Sequence, residues 1–210
     1  LHSSVRLTTN SVGLADREYS LEKPAGVFRV AVVGSSWTMP TGVEHQAAWH
    51  AQLEEQLNSR ADGTTYEFIN FGVEMYGLGE IAGTLRTRVL AHEPDLVIVA
   101  LTTLSAYFVR ETNTEPFVVP PVRNPFFESF ALRALDAKFG LNLFDQRQVR
   151  PTLGSNVDEH RAQTEAFIRE LHAFGVANNT DVALVWLGFR PLRRLYEQTV
   201  LNTTEELSIP

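Results

Sequence analysis

Residues 28–43 read F-R-V-A-V-V-G-S-S-W-T-M-P-T-G-V, and this stretch decides the fold. The apolar, β-branched run over residues 28–33 predicts a short buried strand. Gly34 stops the run, and two serines and a tryptophan follow it. The pattern therefore predicts a strand that ends in a tight turn with polar side chains.

Further along the chain, apolar runs alternate with amphipathic segments. The predicted later strands are residues 66–70, 96–101 and 181–187. The predicted helices are residues 44–58, with Trp49, Leu53 and Leu57 on one helical face, residues 78–92, with Ile81, Leu85, Val89 and Leu90 facing inward, and residues 157–177. Strands that are apolar throughout and alternate with helices indicate a parallel sheet covered on both faces. We therefore predict a flavodoxin-like, three-layer α/β/α sandwich with strand order 2-1-3-4.

The domain boundaries follow from composition. Residues 1–26 are polar and irregular and are interpreted as an extended lead-in, and residues 27–210 form the α/β domain. Residues 105–156 contain five prolines, which predicts an insertion, either a cap over the carboxyl ends of the strands or a satellite hydrophobic cluster. Because the chain begins with Leu1, we expect a fragment or a processed product, and a membrane anchor upstream stays open.

Composition narrows the classes of function. A net charge of -7 argues against nucleic acid as a partner, because phosphate binding requires clustered Lys and Arg. The absence of cysteine excludes disulfides and thiolate ligands. We expect no cofactor and no metal, since no pair of histidines has ligand spacing supported by carboxylates. The compartment is left open, an extracytoplasmic or membrane-tethered location included.

Ligands of an open parallel sheet bind beyond the carboxyl ends of its strands. Ser36 follows the first predicted strand and Gly72 the second. The candidates after the third strand are Thr102, Thr103 and Ser105. A serine in such a turn, with N–H donors from a neighbouring glycine loop, is typical of acyl transfer, provided that a base removes the serine proton.

Two blocks resemble the SGNH/GDSL hydrolase superfamily. The run R-V-A-V-V-G-S-S-W-T-M-P-T-G-V, residues 29–43, is similar to its first block, and Y-E-F-I-N-F-G-V-E-M-Y-G-L-G-E, residues 66–80, is similar to its second. The resemblance covers about residues 23–101 and implies a serine esterase acting on small-molecule or carbohydrate esters, including O-acetyl groups. It makes Ser36 the nucleophile and Gly72 an oxyanion-hole donor, and Thr102, Thr103 and Ser105 stand where the family has its third donor.

The chain also departs from the family pattern. Ser35 replaces the aspartate of G-D-S, the third block lacks its asparagine, and no D-x-x-H block is present. We expect either that the final strand and this block follow residue 210 or that they are absent. His45 is the only histidine near Ser36 in sequence, which makes it the candidate surrogate base. Two alternatives stay open: a non-catalytic module that binds a glycan or acyl group, and a domain that serves assembly only.

Overall fold

The computed structural model describes residues 5, 7–61, 63–102, 157–187 and 193–210. Its strands are β1 (Val27–Gly34), β2 (Thr65–Asn70), β3 (Leu96–Thr102) and β4 (Asp181–Leu187). Its α-helices are α1 (Trp49–Asn58), α2 (Leu78–Thr84), α3 (Val157–Asn178) and α4 (Arg193–Glu206). The predicted insertion at residues 105–156 lies outside the described residues.

The four strands form one parallel sheet in the order β2-β1-β3-β4. Val30 of β1 pairs with Phe68 of β2 on one side and with Leu96 of β3 on the other. The predicted strand order is confirmed. The physical reason is that strands apolar on both faces are stable only inside a sheet with helices on both sides.

Alternate residues of β1 supply two hydrophobic cores. Ala31 and Val33 pack into the larger core, which includes buried residues of α2, α3 and α4. Val30 and Val32 pack into the smaller core, against which Leu53 and Leu57 lie, so α1 covers the opposite face. This arrangement confirms the predicted three-layer sandwich.

The first predicted helix begins later than the sequence suggests. A 3₁₀ turn spans His45–Ala47, Ala48 is extended with φ -68° and ψ 142°, and α1 begins at Trp49. Leu53 and Leu57 of the predicted face pack against the smaller core, whereas Trp49, in the first turn of α1, is 38% exposed and His50 is fully buried. The buried face of α1 is therefore formed by His50, Leu53 and Leu57, spaced i, i+3 and i+7.

The second predicted helix is helical over its whole predicted length, but only its first part is an α-helix. α2 continues into a π-helical turn at Leu85–Val89 and a 3₁₀ turn at Leu90–His92. Because a π turn has i→i+5 hydrogen bonds, it shifts the helical phase of the residues that follow. The prediction that Leu90 faces inward is therefore wrong, since Leu90 is 36% exposed.

The lead-in is bound to the sheet by a few specific contacts. Leu14 is buried in the larger core. The Tyr19 hydroxyl lies 2.7 Å from the Phe68 carbonyl oxygen of β2. The Leu21 carbonyl oxygen accepts a hydrogen bond from Nη1 of the buried Arg29 at 3.0 Å. None of the helices in the described part of the chain has the length and apolar composition needed to cross a membrane.

Candidate active site

Ser36 lies in a tight turn directly after β1. The Ser35 carbonyl accepts hydrogen bonds from the backbone N–H groups of Thr38, at 2.9 Å, and Met39, at 3.1 Å. Ser35 is buried under the turn, whereas Ser36 is exposed at its outer side. The turn thus presents one serine to solvent at the carboxyl edge of the sheet, as the sequence predicted.

Thr38 fills the space between two glycines that follow neighbouring strands. A Cβ on Gly34 would lie 2.2 Å from Thr38 Oγ1 and 2.8 Å from the Ala100 carbonyl oxygen. A Cβ on Gly72 would lie 2.6 Å from Thr38 Cβ. Real Cβ contacts are not this short, so the buried Thr38 requires glycine at both positions. The two loops are therefore packed together through one side chain.

Asn70, the last residue of β2, holds the same two loops by hydrogen bonds. Its side-chain amide donates to the Thr38 carbonyl at 3.0 Å, and its Oδ1 accepts the Gly72 N–H at 2.7 Å. Its backbone N–H donates to Asp16 Oδ2 at 2.7 Å. The sequence places Asn70 at the end of the second predicted strand, but it predicts no role for this side chain.

The predicted oxyanion donors are placed as follows. Gly72 is buried after β2, and its N–H already donates to Asn70 in this conformation. Thr102 is the last residue of β3 and is buried at the same carboxyl edge. Thr103 and Ser105 lie outside the described residues. Ser36, Gly72 and Thr102 thus share one edge, on the adjacent strands β1, β2 and β3.

A second polar group lies where the lead-in meets the β1–α1 connection. His45 Nε2 is 3.3 Å from Asp16 Oδ1, and the Asp16 side chain is fully buried. One ligand-type atom each from Asp16, His45 and His50 lies within 4.8 Å of the others. The sequence did not reveal this group, because Asp16 reaches the histidines only through the folded lead-in.

A cavity of about 280 Å³ opens beside this group, and Asp16, His45, Glu44 and Pro40 are among the residues that line it. Ser36 is not among the described residues that line it. The role of His45 as a base for Ser36 therefore stays a prediction.

Burial governs the ionisation of the group. It lowers the pKa of His50 to about 4, and the neighbouring His45 acts in the same direction. Burial also raises the pKa of Asp16, against the opposing effect of its hydrogen bonds from the Asn70 and Arg17 N–H groups. His50 is therefore neutral at pH 7 and keeps a lone pair on one ring nitrogen.

The parallel sheet in the order β2-β1-β3-β4, with helices on both faces, is the α/β fold that is also found in solved structures of SGNH hydrolases. The predicted fold class is confirmed.

Solved structures of several hydrolases and esterases are similar to this chain in fold. LAE5, an alpha/beta hydrolase enzyme from the metagenome of Lake Arreo, matches with TM-score 0.54 and 14% identity over 87% of this chain and 74% of its own. AlinE4, an SGNH-hydrolase family esterase, matches with TM-score 0.51 and 15% identity, again over 87% and 74%. A variant of Axe2, an acetyl-xylooligosaccharide esterase from Geobacillus, matches with TM-score 0.51 and 14% identity over the same shares. No family model matches the sequence, and no curated protein does.

Proposed function

We propose that this chain carries a serine ester hydrolase site with Ser36 as the nucleophile. The observation that carries the proposal is the exposed position of Ser36 in a hydrogen-bonded turn at the carboxyl end of β1, in a fold shared with known esterases. Binding sites of open parallel sheets are found at this edge. The substrate class is a small acyl ester, including O-acetyl groups on carbohydrate, in line with the structural similarity to an acetyl-xylooligosaccharide esterase.

The reaction has two steps. Ser36 Oγ attacks the acyl carbonyl and loses its proton to a base, and the alcohol leaves with a proton while an acyl-serine forms. Water then cleaves this ester, releasing the carboxylic acid and restoring the hydroxyl. Backbone N–H groups at the carboxyl edge stabilise the oxyanion. We assign this role to Ser36 and Gly72; for Gly72 the Asn70 side chain must first release the N–H.

A fluorophosphonate probe tests the nucleophile directly. Ser36 Oγ would displace fluoride from phosphorus, and intact mass spectrometry would then show one covalent adduct. We expect labelling of the parent chain and none of Ser36→Ala. Ser59→Ala is the matched control, because Ser59 is an exposed serine at the end of α1. Equal labelling of the Ser36→Ala chain would refute the assignment.

The second candidate function is a non-catalytic module that binds a glycan or acyl group. It is favoured by the Gly72 N–H, which is already bonded to Asn70, and by Ser35 in place of the family aspartate. This function predicts no adduct with the probe but saturable binding of acetylated oligosaccharides in calorimetry. His45→Gln tests the predicted base for Ser36, since loss of a base would slow labelling at Ser36.

A further inference from the structure

The group formed by Asp16, His45 and His50 contains buried nitrogens without partners. Both ring nitrogens of His50 and Nδ1 of His45 have no hydrogen-bond partner among the described residues. His50 is fully buried, and buried polar atoms in proteins are nearly always bonded to protein, water or an ion. We propose that these three residues bind a divalent transition-metal ion, Zn²⁺.

The donor set suits this ion. Two neutral imidazoles and one carboxylate are a common three-residue ligand set for zinc, with a fourth position left for water. Burial keeps His50 neutral, so its ring nitrogen is available as a ligand at neutral pH.

The distances are close to those of a bound site. Zinc bonds of about 2.0–2.2 Å in a tetrahedron place the ligand atoms about 3.4 Å apart. His45 Nε2 and Asp16 Oδ1 are already 3.3 Å apart, and the three-atom set lies within 4.8 Å. Binding one ion therefore requires the wider separations in the set to shorten to about 3.4 Å.

The carboxylate is oriented by outer contacts and keeps capacity for a metal. Asp16 Oδ1 accepts the Arg17 N–H at 2.7 Å, and Oδ2 accepts the Asn70 N–H at 2.7 Å. The Tyr19 hydroxyl has one hydrogen to donate and two acceptors nearby, the Phe68 carbonyl oxygen at 2.7 Å and Asp16 Oδ1 at 3.1 Å. The shorter distance indicates that the hydrogen is donated to the Phe68 carbonyl. A lone pair of Oδ1 therefore remains. Outer contacts of this kind fix metal ligands in place.

The residues around the proposed zinc site leave space for a water ligand, and a nearby positive charge is paired with a carboxylate. Asp16 and His45 line the cavity of about 280 Å³, which has space for the water that completes a four-coordinate site. Glu44 lines the same cavity. The nearby Arg17 is paired with Glu54 at 3.0 Å, so its positive charge is compensated. An ion at this position would tie the lead-in to the connection between β1 and α1, on the side of the fold away from β3 and β4.

Metal analysis of tag-free protein tests the proposal. After dialysis against zinc and removal of free metal, we expect one Zn²⁺ per chain and tetrahedral-type visible bands with Co²⁺. His45→Gln and His50→Leu should weaken zinc binding by more than the about 10- to 100-fold that loss of an outer contact costs. His172→Gln, a histidine of α3 outside the group, and Ser36→Ala should bind zinc like the parent.

A stability measurement gives an independent readout. At free zinc 100 times the dissociation constant, the ratio of folded to unfolded parent chain should rise about 100-fold, and neither ligand variant should respond. If His50→Leu does not fold, the half-buried His45 still decides the result through His45→Gln. No zinc in the parent, or undiminished zinc in His45→Gln, would overturn the proposal. Because Ser36 labelling is measured separately, failure here leaves the proposed hydrolase function standing.

Discussion

Arg29→Met should be among the most destabilising single changes in this domain. Arg29 is fully buried in β1, and its guanidinium makes four hydrogen bonds. Nε and Nη2 donate to Glu67 Oε2 at 3.0 and 2.8 Å, and Nη1 donates to the carbonyls of Leu21 at 3.0 Å and His92 at 2.7 Å. The residue therefore ties β2, the lead-in and the end of the second helical segment to β1.

The magnitude follows from what the substitution leaves behind. Methionine keeps most of the apolar stem but leaves the Glu67 carboxylate, whose side chain is 16% exposed, without its cation. Breaking a buried pair by removing one partner costs about 3–5 kcal/mol. Two carbonyls also lose a donor. Since domains of this size have a free energy of unfolding of about 5–15 kcal/mol, the variant should be close to the limit of stability.

Urea unfolding followed by circular dichroism measures the effect. With an m-value of about 1–3 kcal/mol/M, a loss of about 3–5 kcal/mol should lower the midpoint by about 1–5 M with little change in m. Arg169→Met is the matched control, because it removes an arginine paired with Glu165 and Glu206 on the surface, and it should shift the midpoint little. A loss below about 1 kcal/mol for Arg29→Met would refute the reasoning that the unpaired carboxylate dominates.

Three further expectations concern the site. Gly72→Ala places a Cβ 2.6 Å from Thr38 Cβ and should cost about 1–3 kcal/mol of stability by overpacking, part of which Thr38→Gly should restore in a double-mutant cycle. In the presence of a chelator, lowering the pH from 7 to 5 should reduce the free energy of unfolding by about 2 kcal/mol. The reason is that His50 in the unfolded chain becomes protonated below about pH 6.5, whereas the buried ring, with a pKa of about 4, stays neutral. Urea titrations of His50→Leu should show a weaker pH dependence, and an unchanged dependence would contradict the prediction. The 210-residue chain should hydrolyse short-chain acyl esters slowly, because it contains no D-x-x-H base and general-base catalysis typically contributes about 10²–10⁴ to the rate. Fast hydrolysis that Ser36→Ala abolishes would contradict this prediction. His45→Gln would then be the next variant to assay.

The sequence determined the sheet, because its signal is local. Residues 28–33 and 96–101 are apolar on both faces and separated by amphipathic segments, a pattern that fits only a covered parallel sheet. The position of Ser36 followed from Gly34, which ends the strand, and the structure places that serine in an exposed turn.

Tertiary structure alone decided which polar groups meet. In the first turn of α1, His50 is fully buried and Trp49 is 38% exposed, although Trp49 lies four residues before Leu53 on the same helical face. The folded lead-in then brings Asp16 to within 3.3 Å of His45, across 28 intervening residues. In the sequence, Arg29 is a single charged residue in an apolar strand. In the folded chain, its guanidinium is bonded to the Glu67 carboxylate and to the carbonyl oxygens of Leu21 and His92. Spacing along a chain predicts neighbours within one element, whereas contacts between elements depend on how the packed layers align, which no local pattern encodes.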